Sequence, residues 1–348
     1  MSGFKNTKEG ITLKCPGCGS KVTFNPKSGL FECESCDRKL TEEEIYKYTD
    51  TFNEKAIGDI DLNKYHCPVC GAEVLADKNT TAEFCMYCGS SIVFDGRVSG
   101  LLKPKYMIPF SIDKKGAIEI LKKYLSNYLY VPHSFLKTAN LEKISGIYYP
   151  FWESDMNTFS SLSAEGTTSR SWTAGERRYT ETNYYRINRA GNIHFEDLTI
   201  NALTSADKKL VESVLPYPIK DHIPFKKTYL SGFYAKKNDL IYEDIENEMK
   251  NKMRNYSTTI LRNTISGYGS VSIIKKEDTI LDENHDYVML PIWILNYKYL
   301  GKNYTFAING VTGKCFGEVP ISRGKLAIAG TSIAASIFAL IALLGGIL

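Results

Sequence analysis

The chain has 348 residues and 39.2 kDa, room for two or three domains. Hydrophobic residues make up 43% and charged residues 24%, which excludes wholesale disorder and a multi-span membrane protein. The net charge of +4 is unevenly spread: residues 1–100 carry 12 Lys/Arg against 15 Asp/Glu, so the basic excess lies beyond them.

Met1 to Ile11 contains no apolar run, and so no cleavable secretory signal is expected. Eight of the nine cysteines follow within the first 88 positions, which points to metal ligation. Cys15-Pro-Gly-Cys18 is followed after 14 residues by Cys33-Glu-Ser-Cys36, and Cys67-Pro-Val-Cys70 after 14 residues by Cys85-Met-Tyr-Cys88. Two residues between cysteines let both sulfurs meet one ion from a tight turn, so each set predicts a four-cysteine zinc ribbon. The glycines at 19, 71 and 89 suit the left-handed backbone such turns often need. Strand-like runs at Lys21–Phe24 and Leu30–Glu32, and at Glu73–Leu75 and Ala82–Phe84, predict a hairpin between the two knuckles of each ribbon. A redox pair would predict one CxxC beside a βαβ unit, not four at matched separation. Two Zn2+ ions, each with a closed set of four thiolates, are therefore expected to be structural. They would take the segment from −3 to about −7, which argues for a protein partner and against nucleic acid.

Past a linker at 41–62 and the second ribbon at 63–97, residues 104–320 read as an α+β body. Lys105 to Ile112 predicts a strand, and Asp113 caps a helix from Lys114 to about Leu129. Ile147 to Ser160 and Arg177 through Leu203 read as β, with a short helix from Ser205 to about Leu215. Ile241, Ile245, Met249, Met253, Tyr256 and Ile260 recur every three or four residues and mark a long amphipathic helix. The rest is β, from Val288 to Leu300, Tyr304 to Ile308 and Lys314 to Val319, with a turn at Asn309-Gly310. Ile108-Pro-Phe110 ahead of Tyr149-Pro-Phe-Trp152 is echoed by Ile223-Pro-Phe225 ahead of Leu290-Pro-Ile-Trp293, which suggests two related halves. Arg170, Arg177, Arg178, Arg186 and Arg189 are interleaved with tyrosines, as on a solvated sheet face or one that meets an anionic lipid or acidic partner. No phosphate loop, nucleophile elbow or His-Glu-x-x-His helix occurs, and His66, His133, His194, His222 and His285 are isolated, so no enzyme activity is expected. Cys315 is expected to pack as a small apolar residue.

From Leu326 to Leu348 there are 23 residues without a charge, preceded by Arg323 and Lys325. This predicts a transmembrane helix at 326–348, a tail anchor in the cytoplasmic membrane with the N-terminal domains cytosolic. Small residues at four-residue spacing in the span, such as Gly330 and Ala334, would allow homo- or hetero-oligomers.

The tandem ribbons, Tyr149-Pro-Phe-Trp152, Tyr229-Leu-Ser-Gly-Phe233, Leu290-Pro-Ile-Trp293, Gly301-Lys302-Asn303-Tyr304, Asn309-Gly310-Val-Thr-Gly313-Lys314 and Gly317-Glu318-Val-Pro320 carry a resemblance over nearly the whole chain. It is similar to a Firmicute family of membrane proteins with a TFIIB-type zinc ribbon, some of whose members bear the name of the primosomal helicase. That helicase name does not fit here, since the chain has no nucleotide-binding loop. The resemblance implies a membrane-anchored adaptor that recruits cytosolic partners, among them phage-shock-type or flotillin-like scaffold proteins. Only the eight cysteines carry over residue by residue. A membrane-tethered nucleic-acid binder is the alternative.

Overall fold

The computed structural model describes residues 8–11, 13–48, 63–67, 73–76, 80–84, 91–94, 103–132, 135, 141, 143–300 and 302–345. The fold is α+β with a large mixed sheet. The chain divides into two units, each assembled from separate stretches: Met1–Pro150, Ser205–Lys237 and Met289–Leu348 in one, Phe151–Thr204 and Asn238–Val288 in the other.

In the first unit, apolar residues at four-residue spacing turn one face of the helix Lys114–Ser126 inward at Ala117, Leu121 and Leu125. The Asp113 carboxylate caps that helix by accepting from Gly116 N–H at 2.7 Å. An aromatic cluster sits nearby: Phe110 stacks on Phe233 at 4.2 Å and leans on Tyr148 and Trp293 at 5.1 and 5.0 Å. Ile223-Pro224 pairs antiparallel with Met107 and Tyr106, so one copy of the Ile-Pro-Phe echo lies against the other. The strand expected over Lys105–Ile112 is only Tyr106–Met107 long, because beyond it Ser111 and Ile112 turn their N–H groups to the Gly310 carbonyl.

The second unit is built on an antiparallel pair that runs from Phe151↔Asn201 to Ala174↔Arg177. Met156, Thr158, Ser160, Leu162 and Ala164 alternate inward along it. The helix Tyr242–Asn263 supplies Ile245, Met249 and Met253 to this core, followed by Ser257 and Leu261. Tyr256 and Ile260, expected on the same stripe, are exposed. Four-residue steps advance the contact line by about 40° each, which lets the seam follow the twist of the strands.

The same hydrogen-bonding pattern is built once in each unit. Trp152 stands opposite Ile200, and Trp293 opposite Ile308. Each indole N–H donates to a carbonyl two residues before a helix begins, Leu240 for Trp152 at 2.9 Å and Ile112 for Trp293 at 3.0 Å. The Ala202 carbonyl accepts from Asp239 and Leu240 N–H, as the Gly310 carbonyl does from Ser111 and Ile112. In sequence terms the partners are crossed: the helix that follows the first Ile-Pro-Phe is bonded by the second Trp.

The expected membrane anchor is corrected. A helix forms over Arg323–Gly345, but among the described residues no helix is long and apolar enough to cross a membrane. A span needs roughly 20 consecutive, predominantly apolar residues. This helix opens on Arg323 and Lys325, with Lys325 Nζ donating to the Val131 carbonyl at 2.8 Å and Ser322 N–H to the Tyr130 carbonyl at 2.7 Å. Gly330, Thr331, Ser332 and Ser336 then interrupt the apolar run, the three hydroxyls bonding back to helix carbonyls. The tail-anchored topology, the bilayer contact at 326–348 and the single-pass location in the cytoplasmic membrane are withdrawn with the span.

A four-cysteine candidate metal centre

The first cysteine set folds as two knuckles on a three-stranded sheet of Val22–Asn25, Leu30–Cys33 and Lys39–Leu40. In the first knuckle Gly19 N–H donates to the Cys15 carbonyl at 2.8 Å, and Gly19 takes φ +73°. The second repeats the bond from Asp37 N–H to the Cys33 carbonyl at 3.1 Å, with Asp37 at φ +54°. The left-handed position thus exists in both knuckles, although only one carries glycine. Asp is among the few other residues that enter this region, so the second turn gave no glycine signal to read.

The four sulfurs converge. Cys15 Sγ lies 3.7 Å from Cys36 Sγ, and Cys18 Sγ lies 3.4 and 3.5 Å from Cys33 and Cys36 Sγ. A disulfide would bring two sulfurs to about 2.05 Å. A tetrahedral site with metal–sulfur bonds of about 2.3 Å has edges of about 3.8 Å, close to the spacing here. Cys15 and Cys33 are buried, while Cys18 and Cys36 face solvent. Gly17 N–H points at Cys15 Sγ from 3.4 Å and lowers that thiol. The Ser20 hydroxyl and N–H hold Cys18 down at about 6. Cys36 rises to about 12 even though Arg38 N–H pulls it down, because Cys33, Cys18 and Cys15 crowd it. Four thiolates this close cannot all ionise unaided, and a cation among them removes the conflict. Cys15, Cys18, Cys33 and Cys36 could therefore hold one metal ion.

The set is seated on the rest of its unit by residues far away in the chain. Tyr229 packs edge-on to Phe24 at 4.8 Å and against Phe31 at 5.7 Å. Phe24 N–H donates to the Ser231 carbonyl at 3.2 Å, and the Ser231 hydroxyl to the Val22 carbonyl at 2.9 Å. A Cβ on Gly232, which has φ +94°, would stand 3.1 Å from Thr23. Lys226 Nζ meets a Glu42 carboxylate oxygen at 2.7 Å. Tyr229-Leu-Ser-Gly-Phe233, quoted above only as part of a resemblance, is this seat.

Comparison with known proteins fits this layout. The chain is 32% identical over 328 residues to YdjG of Bacillus subtilis (strain 168), covering 94% of this chain and 95% of that one. It belongs to the YdjG family. No protein-family model matches the YdjG-family chain, and no solved structure does.

Of the second set, Cys67 is buried, at 1% exposure. Cys70, Cys85 and Cys88, and Gly71 and Gly89 beside them, lie outside the described residues. The hairpin expected between those knuckles is paired differently: Glu73–Ala76 joins Asn63–His66, and Thr80–Phe84 joins Ser91–Phe94 and Tyr234–Lys236. Cys315 is half-buried beside the helix Lys114–Ser126, and burial pushes its thiol up to about 12. His194 is held by Asn157 at 2.7 Å and Glu196 at 3.3 Å, and His285 stacks on Tyr242 at 3.7 Å.

Proposed function

We propose that this YdjG-family chain is a zinc-ribbon adaptor, a non-catalytic protein that binds other proteins. The observation that carries the reading is the set Cys15, Cys18, Cys33 and Cys36, four sulfurs with no fifth donor position, docked on the body through Tyr229 and Ser231. All-thiolate donors suit zinc, and a filled tetrahedron leaves no place for substrate or water, so the ion is structural. It would neutralise the crowded thiolates and hold the two knuckles in register. A second Zn2+ at Cys67, Cys70, Cys85 and Cys88 belongs to the same reading and rests on their matched spacing. The acidic balance of residues 1–100 favours a protein partner over nucleic acid, of the phage-shock or flotillin-like scaffold type that the sequence resemblance implies.

The test has two arms on the full chain. Metal analysis should find two zinc ions per molecule, with Cys33→Ser losing one of them. Affinity capture on purified scaffold proteins of those two types should retain the wild-type chain and release the Cys33→Ser variant. Binding to duplex DNA that weakens steeply with salt, and no binding to either scaffold, would favour the nucleic-acid alternative instead.

A further inference from the structure

The strand pair of the second unit outruns the elements that support it. Gly269 N–H donates to the Thr167 carbonyl at 2.7 Å, and the Thr167 and Ser270 hydroxyls meet at 2.7 Å. Beyond Thr167 the two strands continue alone to the turn at Gly175, seven residues on one side, or about 24 Å. Both faces of this outer ribbon are exposed from Ser169 to Arg186. A free two-stranded ribbon is only marginally stable in water, so its side chains carry a reason to be there.

Those side chains are of one kind. Five of the chain's ten arginines lie between 170 and 189, a stretch without lysine. Trp172 and Tyr179 face each other across the strands and stack at 5.9 Å, yet both stay more than 40% exposed. Cross-strand register puts Arg170 and Arg177 on the same face as this stack, and Arg178, Tyr184 and Arg186 on the other. Among the described residues no ion pair engages Arg170, Arg177, Arg178 or Arg186. Arginine, tryptophan and tyrosine are enriched at protein interfaces, where lysine is depleted. The strand Arg177–Asn201 also has a single paired neighbour, so its outer edge offers main-chain N–H and C=O groups to an added strand.

We propose that this outer ribbon is a docking surface for an extended acidic segment of a partner protein. Charge selects the occupant: five arginines against Glu165, Glu176 and Glu181 leave residues 165–189 at +2. Carboxylates on a partner can pair with individual arginines and avoid the three glutamates, whereas a nucleic acid would bring a continuous row of phosphates against them. The proposal deepens the adaptor reading and rests on it, but its test does not involve the metal, so the two fail separately.

The probe is a fluorescein-labelled 12-residue peptide of alternating Glu and Thr, titrated with the full chain and followed by anisotropy. An analogue with Gln for Glu and a 20-residue oligothymidylate serve as comparisons. The Glu peptide should bind, and the pair Arg177→Glu with Arg178→Glu should weaken it by about tenfold or more, as for loss of interface hot spots. The same charge change at Lys275 and Lys276 should alter affinity less than about twofold. Peptide binding should quench tryptophan emission in the wild type and not in Trp172→Phe, a readout that does not depend on the charge-reversed variant folding. Equal binding of Glu and Gln peptides, an equal loss from the Lys275 and Lys276 reversal, or tighter binding of oligothymidylate would each overturn the proposal.

Discussion

At the knuckles, single residues decide whether four thiols become a site. Gly19 is the position where a side chain has no comfortable backbone, with φ +73°. Gly19→Ala should destabilise the first ribbon by about 1–2 kcal/mol while leaving the sulfurs in place, seen as a lower melting point with full metal content. Cys33→Ala removes a buried ligand, and one metal equivalent should disappear from the purified chain. Because ligands must be thiolates, acid should release the metal, and the loss should be cooperative across the site. Glu32 offers a separate pH signature on the same sheet. The Asn25 amide, then the Ser28 hydroxyl and Lys39, hold its carboxyl below the ordinary 4.5. The ionised form is the one favoured by folding, so this stabilisation is complete above the ordinary value and is lost as pH falls through the depressed one. Asn25→Ala should move the Glu32 titration, followed by NMR, back up toward 4.5. The glycines at 19, 71 and 89 hinted at these turns, but Asp37 in the same backbone role was invisible to that reasoning, since aspartate also serves as a solvated charge or a cap.

Between elements, the informative contact is the seat of the ribbon on Tyr229 and Ser231. Tyr229→Ala should cost about 2–4 kcal/mol through lost ring contacts, and it should do so without removing metal. Amide exchange should then speed up across Val22–Cys33 more than in the helix Lys114–Ser126. If the metal site formed only with the seat intact, zinc would be lost as well, and the ribbon would not be an independent element. The two tryptophan bonds make a matched pair. Trp152→Phe and Trp293→Phe should each cost about 1 kcal/mol for one lost hydrogen bond, read by chemical denaturation. The helices around them were legible from spacing: Asp113 ahead of an apolar repeat, and Ile245, Met249 and Met253 four apart. Tyr256 and Ile260 fit the same repeat and are exposed, because periodicity fixes a helix and not which edge of its stripe meets a twisted sheet.

For the molecule as a whole, the term that dominates is the metal. A ribbon of some 25 residues buries too little apolar area to fold unaided, and four-cysteine sites contribute on the order of 10–16 kcal/mol. Chelation at neutral pH should therefore melt the segment Leu13–Leu40 while the helix Tyr242–Asn263 and its strands keep their circular dichroism, since the two lie in different units. Unfolding of both together on chelation would show that the ribbon's stability is not local. The terminal segment 326–348 teaches the opposite lesson about scale. A run without charges was read as a span, yet no helix among the described residues meets the length and apolarity a bilayer requires.

Cysteine spacing, helix period and cap residues were readable along the chain because each is set by neighbours a few positions apart, where covalent geometry limits the choices. The seat of the ribbon, nearly 200 residues away, was not readable in that way. Nor were the outward pairing of Glu73–Ala76 and Thr80–Phe84 or the crossed tryptophans. In each of these the local pattern admits several partners of equal quality, and the choice falls to whichever distant strand or ring fills the remaining space.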